Sequence, residues 1–338
     1  MMMRMPRSLV FVVLASALAA GCGRSPVKVV QLGYRGTGEQ QVYKEKARAA
    51  LLARNTAPEA MPKVNVEPGA PTAGATFKNV QVLKELSVPE FARLMAAMTT
   101  WVAPQQGCTY CHAATDMARD DLYTKVVARR MLQMTMHINS TWKHHVDSVG
   151  VTCYSCHRGN NVPANIWFTN LGPPHPSSAM GNKAGVGAPA ASVALSALPN
   201  DPFTTFLDHP TEVRVVSKVA LRDDGMGPSI QQVEKTYGLM MHITQALGVN
   251  CTFCHNSRSF FDWDQSTPQR ATAWYGIRMV RDLNVNYLEP LNPHFPANRK
   301  GISGDSPKLN CTTCHQGVSK PLNGVSMLQD YPELAGPP

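Results

Sequence analysis

Four Cys-x-x-Cys-His runs divide this chain: Cys108-Thr-Tyr-Cys111-His112, Cys153-Tyr-Ser-Cys156-His157, Cys251-Thr-Phe-Cys254-His255 and Cys311-Thr-Thr-Cys314-His315. No other feature restricts the fold as strongly. In c-type haem attachment the two cysteines form thioethers to the vinyl groups and the adjoining histidine ligates iron. Cys-x-x-Cys pairs also build zinc ribbons, but a ribbon has no use for a histidine directly after each pair. The reading is therefore four covalent haem c groups, with His112, His157, His255 and His315 as proximal ligands. Eight of the nine cysteines are used in this way. Only Cys22 is left, so no pair remains for a structural disulfide.

A haem-rich chain explains an otherwise unpromising composition. Aromatic residues make up 7% of the 338 residues, against 24 Gly and 26 Pro. That balance predicts much coil and a protein-only core too thin for the length, with the macrocycles supplying the missing apolar volume. The formal charge of +9 resembles that of a nucleic-acid-binding protein, but Arg4 and Arg7 lie in the leader. About eight haem propionates bring the rest close to neutrality, so no nucleic-acid partner is expected.

Residues 1–21 read as a signal peptide, with a basic start and an apolar run, Leu9 to Ala20, too short to span a bilayer. Leu18-Ala19-Ala20-Gly21-Cys22 resembles a bacterial lipobox, although its leucine sits one place early. Cys22 is then the lipidation site, and two or more acyl chains suffice for stable membrane anchoring. The alternative is ordinary cleavage leaving a free thiol. Both place the mature chain outside the cytoplasm.

The body repeats one scheme of a helix followed by an attachment motif. Residues 22–80 are expected to be an extended segment with one short helix around Glu39–Arg54. Residues 81–160 hold the first two motifs, with helices at Ser87–Thr99 and Asp121–Val146. A Pro/Gly/Ala-rich connector, 161–222, leads to the second pair at 223–320, with helices at Ile230–Leu247 and Ala271–Tyr287. Residues 321–338 read as a tail without period. Two halves with two units each form an internal repeat.

Spacing leaves the distal ligands open. Met95 and Met98 precede the first motif, Met131, Met134 and Met136 the second, and Met240 and Met241 the third. Helical methionines are more often packing than ligands. The fourth motif is preceded by Met279, while His144 and His145 lie on the first half's long helix without a motif of their own.

Several runs carry a wider likeness: Met95-Ala-Ala-Met-Thr-Thr-Trp101, Gly107-Cys-Thr-Tyr-Cys-His112, Asn250-Cys-Thr-Phe-Cys-His-Asn256, Ser266-Thr-Pro-Gln-Arg-Ala and Trp274-Tyr-Gly-Ile-Arg-Met-Val-Arg-Asp-Leu-Asn284. With them the chain resembles the tetrahaem cytochrome subunit of purple-bacterial photosynthetic reaction centres. The resemblance implies a mainly α multihaem cytochrome c with much coil, its two pseudo-two-fold-related halves each holding two haems. It implies Met95, Met131 and Met240 as distal ligands of the first three haems and His145 as that of the fourth. It places the haems in a row, the third nearest the bacteriochlorophyll pair, then the fourth, second and first. Arg270 resembles a residue beside the third haem's propionates. The implied partners are the reaction-centre L and M subunits with their special pair, and a soluble cytochrome c or high-potential iron–sulfur protein as donor. The implied role is electron transfer and no bond chemistry. A general periplasmic multihaem carrier shares all this haem chemistry, whereas a multihaem reductase requires an iron with an open position.

Overall fold

A computed structural model describes residues 26–31, 40–169, 189–216 and 229–336. Cys22 and the leader lie outside the described residues. The first element is a hairpin, β1 (Val27–Gln31) paired antiparallel with β2 (Gln40–Lys44), running directly into α1 (Glu45–Arg54). The expected helix around Glu39–Arg54 is thus shorter, and β-branched Val42 with Tyr43 turns its first residues into a strand. After the single turn α2 (Ala73–Thr76) comes α3 (Val88–Val102). Ser87 starts α3 with a capping box: its backbone N–H donates to Glu90 Oε2 at 3.1 Å, and its hydroxyl accepts from the Glu90 N–H at 3.4 Å. Leu94, Ala97 and Trp101 then share its buried face.

The expected single helix over Asp121–Val146 is two helices, α4 (Tyr123–Thr141) and α5 (Lys143–Val146), broken at Trp142 (φ −102°, ψ 33°). The indole of Trp142 donates to Asp282 Oδ2 at 2.9 Å, a tertiary anchor that takes the residue out of helical geometry. The attachment turn α6 (Cys153–His157) follows. In the second half α7 (Ile230–Leu247) has the expected bounds, capped by Ser229 and closed by Gly248 at φ 64°. α8 (Pro268–Leu283) starts three residues earlier than the pattern suggested, because Pro268 takes the first helical position. It passes into a π turn, Asn284–Leu288, and α9 (Cys311–His315) completes the set.

Two apolar cores hold these helices. One gathers Leu94, Ala97, Trp101, Leu132 and Cys153 with Leu322, Met327, Tyr331 and Leu334. The other joins Met134 and Ile138 to Trp167, Phe206, Leu239, Ile243, Ile277, Val280 and Leu283. Helix α4 serves both, Leu132 facing one core and Met134 with Ile138 the other. Residues 321–336 are packed structure: Tyr331 is 1% exposed and its ring meets Trp101 edge-on, centroids 4.7 Å apart. Sequence period was blind to it because short 3-10 turns carry no helical repeat.

Candidate haem-binding sites

The four motifs fold into two local forms that alternate along the chain. The first and third are 3-10 turns, Gly107–Tyr110 and Cys251–Phe253. The second and fourth are the one-turn helices α6 and α9, each steadied by a hydroxyl inside its motif: the Thr152 N–H donates to Ser155 Oγ and the Asn310 N–H to Thr313 Oγ1, both at 3.0 Å. Each of these helices ends on a left-handed residue and a glycine, Arg158-Gly159 and Gln316-Gly317. The glycine N–H then bonds a preceding long helix, Gly159 to Trp101 O of α3 at 2.9 Å and Gly317 to Ala246 O of α7 at 2.7 Å. The internal repeat therefore extends to hydrogen bonds.

The histidines share one device. Each directs Nδ1 at a backbone carbonyl: His112 at Met117 (3.0 Å), His157 at Asn160 (2.9 Å), His255 at Phe260 (2.9 Å) and His315 at Val318 (3.0 Å). The carbonyl lies five residues on in the first and third sites and three residues on in the second and fourth. A carbonyl only accepts, so Nδ1 carries the proton and Nε2 keeps its lone pair, the arrangement of metal-ligating histidines. Burial adds to this by disfavouring charge. It pushes His157 and His255 below the usual imidazole range, and with the nearby His145 it takes His315 down to about 4. The neutral ring is the ligating form.

The cysteines fit thioethers and not a thiolate cage. As thiols they are pushed up by burial, Cys111 and Cys254 to about 11, Cys153 and Cys311 to about 12. Among the described residues no three His, Cys, Asp or Glu side chains converge as a metal cage, which sets the ribbon geometry aside. Cys108 and Cys251 are exposed. Cys156 and Cys314 lie within hydrogen-bonding reach of each other, an interaction that pushes the Cys156 thiol well up. The second and fourth motifs are therefore neighbours.

A fifth histidine carries the same device. His145 directs Nδ1 at Thr272 O of α8 at 2.9 Å, and its ring lies 6.0 Å from that of His315, nearly perpendicular at 72°. Metal–imidazole bonds of about 2 Å on each side of an iron put two axial rings about 6 Å apart, centre to centre. Burial lowers the His145 pKa as well. Gly276 makes the room, since a Cβ there would stand 2.5 Å from His145 Cε1. Its neighbour His144 is exposed and stacks on Tyr275. His137 has both nitrogens engaged, by Asp282 and Thr141. His242, buried with an unpartnered Nε2, packs T-shaped on Phe203.

The family model described as the photosynthetic reaction centre cytochrome C subunit matches residues 23–335. The chain belongs to this family. It is 52% identical over 331 residues to the photosynthetic reaction center cytochrome c subunit of Rubrivivax gelatinosus, covering 98% of this chain and 90% of that protein. The corresponding subunit of Thermochromatium tepidum is 49% identical over 324 residues, with 96% and 79% covered. That of Roseobacter denitrificans is 45% identical over 281 residues, with 80% and 75% covered. As a reaction-centre cytochrome c subunit it is an electron-transfer protein that carries covalently bound haem c. No helix of the described residues is long and apolar enough to cross a membrane.

The methionines expected as distal ligands lie on the two cores. Met95 packs half-buried on the first core, as does Met98; Met131 and Met240 pack half-buried on the second. Met279 is 7% exposed inside the second core, a packing residue. Arg270 donates through Nη1 to Asp262 O at 2.9 Å and Ser266 Oγ at 2.7 Å, and lies over the Trp263 ring at 4.1 Å. Its charge is felt at both Cys254 and His255, lowering the pKa of each against or alongside burial. Sequence reasoning missed Arg158, which ties the second motif to the fourth by donating to Cys314 O at 3.2 Å and to Asn55 Oδ1 at 3.2 Å. Its place directly after a motif histidine was the available signal.

Proposed function

We propose that this chain binds four haem c groups and relays electrons to the photo-oxidised bacteriochlorophyll pair of the reaction-centre L and M subunits. A soluble periplasmic cytochrome c or high-potential iron–sulfur protein refills it. One observation carries the reading: the four motif histidines hold Nε2 free by the same backbone hydrogen bond, and His145 repeats it opposite His315. Bound haem supplies one-electron exchange between ferrous and ferric iron.

The residues then divide the work. Cys108/Cys111, Cys153/Cys156, Cys251/Cys254 and Cys311/Cys314 fix the groups covalently, and His112, His157, His255 and His315 supply the proximal nitrogens. Met95, Met131 and Met240 supply distal thioethers, which favour the ferrous state and raise the potential; His145 makes the fourth site bis-histidine and lower in potential. With both of these side chains holding each group, the sites would serve electron exchange. Arg270 is assigned to the propionate side of the third site, where its charge disfavours ferric iron. The order third, fourth, second, first is supported by α9 packing on α7, by the Cys156–Cys314 contact and by α6 packing on α3. Residues 81–160 and 223–320 are the two haem halves, joined by 161–222. Cys22, freed by removal of 1–21, carries the lipid that holds 22–80 at the periplasmic face.

Flash spectroscopy on membranes tests the whole. Fast haem oxidation after the flash is expected; Met240→Leu is expected to lose only the high-potential donor, and Arg270→Leu to lower one midpoint selectively in a redox titration. Membranes that show no haem oxidation after a flash overturn the function.

A further inference from the structure

The four proximal histidines share a backbone anchor, but one anchor differs. Met117 O, which accepts from His112 Nδ1 at 3.0 Å, also accepts from the ammonium of Lys125 at 2.7 Å. Lys125 is 7% exposed, on the first turn of α4. Its Nζ also donates to Arg119 O at 2.8 Å and pairs with Asp120 Oδ1 at 3.2 Å. Asp120 is shared, its Oδ2 lying 2.9 Å from Arg129 Nη1 and its Oδ1 2.9 Å from Asn79 Nδ2. Two cations thus face this one carboxylate, while in the same loop Asp116 Oδ1 accepts from the Ala118 N–H at 2.9 Å and Asp121 pairs with Arg119 at 2.7 Å. Among the described residues no lysine or arginine reaches Asn160 O, Phe260 O or Val318 O, the other three anchors; Arg270 touches the next two carbonyls, Phe261 O at 3.4 Å and Asp262 O at 2.9 Å, and not Phe260 O.

We propose that Lys125 is a positioning residue that raises the potential of the haem at Cys108/Cys111, acting through the Met117 carbonyl on His112. Two effects have the same sign. A buried positive charge disfavours the extra positive charge of ferric iron. A carbonyl already holding an ammonium is also a poorer acceptor for Nδ1–H, so the imidazole donates less electron density to the metal. The anchor common to four sites becomes, at one of them, a means of setting potential independently of the axial ligands. The inference rests on haem attachment at Cys108 and Cys111.

The test is a potentiometric titration of the four haem bands in the purified cytochrome–reaction-centre complex. Lys125→Gln keeps a donor to Met117 O and removes the charge. It is expected to shift the ferric-to-ferrous ratio of one haem by about tenfold at fixed ambient potential, a fall of about 59 mV for a one-electron couple. Lys125→Arg is expected to hold the midpoint near its original value. Asp120→Asn leaves the ammonium less compensated and is expected to raise the same midpoint, which keeps the idea testable if both Lys125 variants fail to assemble. An unmoved midpoint in Lys125→Gln, an equal fall in Lys125→Arg, or a fall or no change in Asp120→Asn overturns the role. Mass spectrometry of the peptide spanning Cys108–His112 separates the two failures. A peptide without haem refutes attachment, whereas a haem-bearing peptide with unmoved midpoints refutes Lys125 alone.

Discussion

At the scale of single residues, His144 and His145 show how small a choice separates a buried imidazole from a surface one. The sequence offers His144 and His145 with nothing local to rank them; only the resemblance favoured the second. In the fold, α5 turns one ring out against Tyr275 and the other in, toward Thr272 O and His315. Gly276 is as necessary as the imidazole, because any Cβ there occupies its place. Gly276→Ala is expected to push His145 off its position opposite His315 and, on the ligation proposed above, to open a coordination position there. Carbon monoxide binding to one haem of the reduced variant, absent in the parent, checks this. The cysteines and histidines of the four motifs were legible because c-type haem attachment has a fixed five-residue spelling. The carbonyls that orient the histidines were not, since Met117, Asn160, Phe260, Val318 and Thr272 contribute through backbone atoms that any side chain leaves unchanged.

At the scale of elements, α4 and α8 are clasped by a carboxylate that sequence pattern concealed. Asp282 Oδ2 accepts from Trp142 Nε1 at 2.9 Å and meets His137 Nε2 at 2.6 Å, while Oδ1 accepts from Asn286 Nδ2 at 2.7 Å. Burial opposes ionisation of Asp282, but the bonds from Asn286, His137 and Trp142 outweigh it and hold the carboxyl below its usual range. The same clasp ended the expected helix at Trp142, and apolar period alone had no means of reporting a break set by a partner about 140 residues away. Asp282→Asn is expected to destabilise the protein by about 1–3 kcal/mol at pH 7. A depressed carboxylate pKa contributes stability above the unfolded value of about 3.9 and loses it as pH falls through the lower folded value. The gap between parent and variant in urea unfolding should therefore close toward about pH 3. A gap that persists unchanged there would mean the carboxylate charge contributes nothing.

At the scale of the whole molecule, the two cores are sewn together from distant parts of the chain. The Met61 N–H donates to Tyr331 Oη at 3.0 Å across 270 residues, and Arg93 lies over the same ring at 4.2 Å while donating to Asp330 O at 2.9 Å. Tyr331→Ala is expected to cost roughly 3–5 kcal/mol, and Tyr331→Phe, which loses only the hydroxyl's bond, about 1 kcal/mol. Thermal unfolding of the two variants distinguishes ring from hydroxyl, and equal losses would contradict this account of the contact. The alternation of long helix and attachment motif was readable from the sequence. That the last turns complete the first half's core was not, because contacts of such sequence separation leave no local period.

That long reach has a consequence in time. A chain delivered from its N-terminal end presents all four cysteine pairs before Tyr331 and Leu334, the residues that seal the first core, have arrived. Cys153, 8% exposed once the core is shut, is open to chemistry only until then. The order of residues along the chain thus leaves time for chemistry at the cysteines before closure of the fold, which is slow because its contacts are so distant.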